Sequence, residues 1–448
     1  MSALLRPSPS QGRPGKWTQA RRRMFWPLWI LSAAAAAALA QAPSGPDQIH
    51  LAWVEEPSTT LTVVWRTLDP AAPPLVQYRP AGSAKWLTAK GGPRASGARG
   101  QLHEATLRSL RPATKYEYRV SGSQGAWSEA YTARTGPRGA GSFDAVFVAD
   151  TGMIGRADGL ATGTKQVIEE IAKLDPALIL WGGDGAYYNT DKRWGTLEDT
   201  IDAWFEQMKP IAVKAPMMPT YGNHEIFLQE GYEPWAARFP TPEGFDKRQY
   251  YSFDVGNAHF ISIMAANSSK GEHSPEALNW IEQDIAAAKK RGQRWIIPFM
   301  HVAPFSDGSN HPSNLNLRKQ MCPVLERAGA HIVLTSHDQS YERTYPLRGA
   351  PDSIRPTSTS KTCYTLQDGV SWLKVSPGGK MSNINGRFAQ WLTNPAPAWT
   401  AFRDNTMHHF ARLRISDGAV VVEVFGVSGD GRPPVVQDSF RYTNGSCK

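Results

Sequence analysis

A chain of 448 residues with 41% hydrophobic content and 16 Trp has enough apolar material for two or three packed domains, which excludes a disordered or low-complexity protein. Its net charge of +9 is concentrated at the start. Residues 1–40 carry six basic residues (Arg6, Arg13, Lys16, Arg21, Arg22, Arg23) and no acidic one, and removing those six from the 49 basic residues leaves 43 against 40 acidic. A net of +3 indicates no nucleic-acid partner, and three cysteines (Cys322, Cys363, Cys447) exclude both a disulfide scaffold and a cysteine-built zinc site.

Residues 1–42 read as an export signal: basic Arg21–Arg23, apolar Met24–Leu39, then small residues at Ala38-Leu39-Ala40 and Ala40-Gln41-Ala42. The apolar segment is shorter than the ~20 residues of a spanning helix, so the expectation is a cleaved signal, no stable membrane anchor, and a secreted or periplasmic product. Arg22-Arg23-Met24-Phe25 is similar to a twin-arginine signal. In an oxidising compartment Cys322 and Cys363 could pair and leave Cys447 free; three unpaired thiols are the alternative.

From residue 46 to 136 the apolar residues alternate with period two: Ile49, Leu51, Trp53, then Leu61, Val63, Trp65, then the run from Leu110 to Val120 behind Pro112. Short strands between Pro and Gly clusters, without a helical stretch, predict an all-β sandwich. Beyond Gly136–Gly141 the period changes, and residues 141–445 read as an α/β domain. Ala145–Ala149 is a strand, Val167, Ile168, Ile171 and Leu174 have helical spacing, and Leu178–Trp181 is the next strand. Ile201–Met208, Pro275–Lys289 (with Ser274 as N-cap) and Asn316–Ala328 read as helices. Tyr250–Met264 reads as two strands joined at Gly256-Asn257, and Arg412–Ile415 with Val420–Phe425 as a hairpin across Asp417-Gly418.

Five apolar runs end in the same kind of residue. They lead into Asp150-Thr151-Gly152, Gly182-Gly183-Asp184, Gly222-Asn223-His224-Glu225, His301, and Ser336-His337-Asp338-Gln339. A strand that ends in a loop presents its side chains at the carboxyl edge of a sheet. Two Asp, one Asn and three His at one edge are oxygen and imidazole donors suited to transition-metal ions or zinc, and a dinuclear centre best explains the set. His259 and His331 lie inside or at the start of strands and read as structural.

The order DTG, GDGAY, GNHE, His301 and SHDQSYER resembles the calcineurin-like metallophosphoesterases. Tyr187, three residues after Asp184, and the sandwich in front resemble the purple acid phosphatases in particular, and the run Leu110-x-Pro112-x-Thr114-x-Tyr116-x-Tyr118-x-Val120 resembles a fibronectin type III strand. The resemblance implies a β-sandwich catalytic core flanked by helices and two metal ions. Asp150, Asp184 and Tyr187 would hold a ferric ion in the first site. Asp184, Asn223, His301 and His337 would hold Zn, Mn or Fe(II) in the second, with Asp184 bridging. His224 would bind phosphate and protonate the leaving group, and His311 would add a second phosphate contact. The implied activity is that of a secreted acid phosphatase, hydrolysing small phosphate monoesters by attack of a metal-activated hydroxide. A phosphodiesterase or nucleotide hydrolase, and a degenerate non-catalytic binding relative, are the alternatives. Where the family places a second His after the one matching His337, this chain has Gln339, a neutral amide donor. No nucleophile-elbow or Walker A motif occurs.

Overall fold

The computed structural model describes residues 45–226, 232–247, 249–264 and 272–447. The export signal read over residues 1–42 lies outside them. Among the described residues no helix is long and apolar enough to cross a membrane.

The N-terminal part is two antiparallel four-stranded sheets. One runs Asp47–Ala52, Leu61–Thr67, Gln101–Leu107, Gly92–Arg94; the other runs Leu87–Lys90, Leu75–Pro80, Lys115–Val120, Tyr131–Arg134. Alternation places Val63, Trp65, Val76, Tyr116, Tyr118 and Val120 in the shared interior. The strand expected from Leu110 begins only at Lys115. Leu110–Pro112 is instead a corner, in which the Tyr116 hydroxyl accepts the Arg111 N–H at 2.8 Å.

The remainder is built on two large sheets packed face to face, with helices on both outer surfaces. A seven-stranded sheet places Met217–Pro219, Leu178–Trp181 and Phe143–Val148 side by side and parallel, followed by an antiparallel meander from His408–Ile415 onward. An eight-stranded sheet has a parallel centre of Ala258–Ile263, Trp295–Phe299, Ile332–Thr335 and Ser371–Lys374. Period-two burial explains the layering. Ala145, Phe147, Leu178 and Leu180 meet Phe260, Ile297, Leu334 and Leu373 between the sheets. Val146, Val148, Ile179 and Trp181 point outward, beneath the helices Thr164–Leu174 and Leu197–Ala212. Ile296 and Val333 do the same beneath Pro275–Lys290 and Leu315–Ala328. Parallel strands require this cover on both faces.

The helices start where their caps dictate: the Thr196, Ser274 and Asn314 side chains accept N–H groups of Asp199, Ala277 and Leu317. The sandwich is tied to the two-sheet layers by Tyr118, whose hydroxyl donates to the Val213 carbonyl at 2.8 Å. Arg66 adds to this, held between Asp47 and Asp202.

Two expectations are corrected. The five ligand-bearing strands do not share one sheet edge: three belong to the first sheet and two to the second, and their carboxyl ends meet across the seam. The cysteine pairing is Cys363–Cys447, not Cys322–Cys363. The strand Cys363–Thr365 pairs with Val435–Thr443, which brings the chain end alongside it. Cys322 is free and buried in the helix Leu315–Ala328.

Candidate metal centre

Each donor follows directly on a strand. Asp150, Asp184 and the turn Asn223–Ile226 leave the first sheet, and His301 and His337 leave the second. Asp150, Asp184, Tyr187 and His337 all adopt positive φ (54°, 54°, 56° and 81°), which turns their side chains back over the seam. Left-handed geometry at non-glycine residues costs on the order of 1–3 kcal/mol each. Burial of large side chains such as Phe147 and Trp181, worth roughly 1.5–3 kcal/mol apiece, exceeds that across the two cores. Glycine is required where two ligand loops touch: a Cβ at Gly222 would lie 2.1 Å from Asp184 Oδ1, and one at Gly183 would lie 2.4 Å from the Gly222 nitrogen.

The donors converge on one point. One donor atom from each of Asp184, His301 and His337 lies within 4.8 Å of the others. His301 Nε2 is 3.1 Å from Asp184 Oδ2, 3.2 Å from Asn223 Oδ1 and 3.2 Å from His337 Nδ1. Its Nδ1 faces the Gly182 carbonyl at 2.8 Å, so Nδ1 carries a ring hydrogen and Nε2 is the nitrogen presented to the cluster. Beside this group the Asp150 carboxylate accepts the Tyr187 hydroxyl at 3.0 Å, the Ser376 hydroxyl at 2.7 Å and the His337 N–H at 3.1 Å.

The electrostatics favour a positive charge here. Burial pushes Asp150 up to about 6, with the Asp184 charge adding to it. Burial would lower His301, but the Asp184 carboxylate overrides it and lifts the imidazole to about 9. Burial, together with the charges of His311 and His301, holds His337 well below the usual range. One carboxylate and two imidazoles meet at one buried point, and a second carboxylate, Asp150, lies beside them and accepts the His337 backbone N–H. The donor chemistry therefore fits divalent or trivalent cations.

The other expected residues surround this point. The His224 N–H donates to Asp184 Oδ1 at 2.9 Å, its ring lies 4.1 Å from that of Tyr187, and its Nδ1 is 2.6 Å from Asn189 Oδ1. Burial lowers its pKa to about 4. The His311 ring stacks on His337 at 3.8 Å, and the His311 backbone N–H donates to Asp338. Gln339 is buried; its amide nitrogen donates to the His337 carbonyl at 3.0 Å and its oxygen faces Asn310 at 3.5 Å. Asp184, Tyr187, Asn223, His224, His311 and Gln339 line a cavity of about 240 Å³.

Three contributors went unnoticed in the sequence. Glu225, in the GNHE stretch itself, accepts the N–H groups of Asp184, Gly185 and Gly222 and so clamps two ligand loops together; burial and the Asp184 charge push it up to about 7. Asn189 orients His224. The Lys380 ammonium sits 4.1 Å from the Tyr187 ring centroid, and burial lowers it to about 7. The signal for Lys380 was available: Ser371–Lys374 is a further buried strand ending in Ser376-Pro-Gly-Gly-Lys380, the same strand-then-glycine pattern as the ligand loops.

The model of the purple acid phosphatase N-terminal domain matches residues 46–135, and the calcineurin-like phosphoesterase model matches residues 144–341. Human acid phosphatase type 7 is 28% identical over 457 residues, covering 95% of this chain and 96% of that protein. Purple acid phosphatase 23 of Arabidopsis thaliana is 26% identical over 320 residues, 65% of each chain. The structure of purple acid phosphatase PPD1 from yellow lupin seeds superposes with a TM-score of 0.73 at 22% identity, covering 90% of this chain and 75% of that one, and so shares its fold. Since sandwich and phosphoesterase layers are matched in order, and all the converging donors fall inside the second match, this chain belongs to the purple acid phosphatase family of calcineurin-like metallophosphoesterases.

Proposed function

We propose that the chain is a dinuclear metal phosphatase that hydrolyses phosphate monoesters outside the cytoplasm. The observation that carries this reading is the meeting of Asp184, His301 and His337 donor atoms within 4.8 Å, beside the buried Asp150–Tyr187 pair. Asp150, Asp184, Tyr187 and Gln339 would hold one ion, a ferric one in this reading. Asp184, Asn223, His301 and His337 would hold the other, a divalent Zn, Mn or Fe. Two such cations supply Lewis acidity toward a phosphoryl oxygen and toward water.

The protein's own groups do the rest. With Nδ1–H donated to the Asn189 side-chain oxygen, His224 carries a proton on Nε2 only as the imidazolium, and in acid that form would give it to the leaving-group oxygen. His311, stacked beside the donors, contributes an imidazole to bound phosphate. Glu225 keeps the Asp184 and Gly222 loops in register through its three N–H contacts, so the phosphoryl group meets preorganised donors. A cavity of about 240 Å³ accommodates a phosphoryl group and the first atoms of its ester. The Cys363–Cys447 disulfide supports an oxidising compartment.

The test is a substrate panel run before and after chelation. Phenyl phosphate should be hydrolysed by the metal-replete protein, lost with the ions and regained on reloading. Faster turnover of bis(4-nitrophenyl) phosphate than of the monoester, or full activity after metal removal, would overturn the reading. N-terminal sequencing of exported protein should begin near Gln41 or Pro43; an intact Met1 would refute export with cleavage.

A further inference from the structure

Arg318 is unlike the other deeply buried arginines. Arg238 pairs with Glu198 and Asp202, Arg343 with Asp438, and Arg66 with Asp47 and Asp202. Arg318 is only 8% exposed, yet among the described residues its Nε alone has a hydrogen-bond partner, the Pro304 carbonyl at 2.9 Å. Nη2 is buried without one. The nearby carboxylates are already engaged: Asp307 pairs with Arg403 at 2.5 Å, and Glu342 accepts from Asp307 and Thr400 beside Lys374. The guanidinium lies 4.3 Å from the Phe305 ring centroid and 5.0 Å from that of Trp399. These rings attract its charge through their faces and leave the forked end without an acceptor, an arrangement that is costly for a buried donor.

Arg318 lines a cavity of about 550 Å³ whose other walls include Pro312, Leu315, Leu392, Pro395 and Trp399. Leu315 and Leu392 are 65% and 55% exposed, an apolar surface awaiting cover. A neighbouring cavity of about 480 Å³ shares Pro312, Ser313 and Leu315 with it and reaches His311 and His337. His311 also lines the central cavity. The three spaces thus share wall residues between His311 and Leu315, with Arg318 in the wall of the first.

We propose that they form a leaving-group channel, and that the preferred substrate is the phosphate monoester of an apolar alcohol carrying a carboxylate at its far end. This rests on the monoesterase reading above. A guanidinium fork matches a carboxylate bidentately; the cavity is mostly apolar, the Asp307 carboxylate in its wall is already paired with Arg403, and the one remaining positive charge matches a monoanion better than a second phosphate dianion.

The test compares ω-phosphooxyalkanoates with plain n-alkyl phosphates of equal chain length. In the native protein the ratio of their kcat/KM values should pass through a maximum of ~10-fold or more at one length, the scale of a charge-assisted hydrogen bond. That maximum should collapse toward unity in Arg318→Met and fall partway in Arg318→Lys, which keeps the charge and loses the fork. A ratio near unity at every length, or an unchanged maximum in Arg318→Met, would overturn the channel. Failure of the native protein to hydrolyse either series would instead refute the monoesterase reading. A measurement independent of turnover covers a variant that does not fold: octanoate should perturb the tryptophan fluorescence of the native protein and octanamide should not, and equal responses would count against the site.

Discussion

Two buried histidines on neighbouring parallel strands of one sheet show what separates structure from function here. His259 sits opposite Ile296 near the start of its strand pair, and His301 follows the far end of the second strand. Both are wholly buried. His259 has a carboxylate on each ring nitrogen, Asp254 at 2.7 Å and Asp284 at 2.9 Å, and Arg291 closes the network on Asp254. Every polar atom there has a partner of opposite kind. His301 Nε2 instead faces an amide oxygen, a carboxylate and another imidazole, groups that all have lone pairs to offer. The first network is complete within the protein; the second is a set of donors that suits a cation. Burial alone does not identify a ligand histidine, but the chemistry of its neighbours does.

The comparison breaks most severely at Asp184, which stands between the donors of the two sheets. Asp184→Ala should reduce phosphatase activity below about 1% of native and lower the content of both ions, because one carboxylate is read as serving both. Substantial activity with two ions bound would refute the shared-carboxylate assignment. His224→Ala should keep its metals and lose ~10²–10⁴-fold in kcat. The loss should be smaller for aryl than for alkyl phosphates, whose poorer leaving groups need the proton more. Equal losses would restrict His224 to binding phosphate.

Much of this edge was legible in the sequence, because two signals coincide there. A buried parallel strand is a short apolar run, and a ligand loop is a glycine or polar break immediately after it; Leu178–Trp181 followed by Gly182-Gly183-Asp184 shows both. The partition of those strands between two sheets was not legible, since period-two burial fixes which face a residue takes and not which strand lies alongside. The same holds for Cys363, whose partner 84 positions away is chosen by the pairing of the last strand. Glu225 was in plain view, but its role comes from N–H groups some 40 positions earlier, Asp184 and Gly185, that only the fold brings near. Gln339 could be read as a departure from the family pattern, although its contacts with His337 and Asn310 could not.

Gln339 sharpens the comparison within the centre itself. Its amide replaces an imidazole on the side where Asp150, Asp184 and Tyr187 offer oxygen donors, so that side is expected to hold iron less tightly than the side built on His301 and His337. Gln339→His should raise iron content toward roughly one further ion per chain and strengthen the tyrosinate-to-iron absorption. Metal analysis and visible spectra of both proteins, prepared together, check this. Full, coloured iron in the native protein with no change in the variant would show that the amide ligates competently or is irrelevant.

The smallest expected effect on activity lies at His259, and it tests the other half of the comparison. Burial there opposes the charged imidazole, but Asp254 and Asp284 outweigh it and raise the pKa above its usual value. The sign follows from linkage. A group whose folded pKa is raised contributes stability that is fully present below the unfolded value, about 6.5, and that is lost as pH rises through the folded one. Asp254 is shifted the opposite way: burial would raise it, yet His259 and Arg291 hold it low, so its share is present above the ordinary Asp range and lost only in acid. Between these limits the network is intact, and the alkaline side is where His259 fails. His259→Gln, which keeps size and hydrogen-bonding capacity but cannot be charged, should therefore have a melting temperature furthest below native near about pH 6. The gap should narrow by about 1–3 °C toward about pH 9, as the native imidazole loses its proton. Relative turnover of phenyl phosphate by the two proteins should remain the same across that range, since His259 lies at the opposite end of its sheet from the ligand edge. A gap that stays constant with pH would mean that His259 is neutral in the folded protein, and that its two carboxylate contacts are ordinary hydrogen bonds.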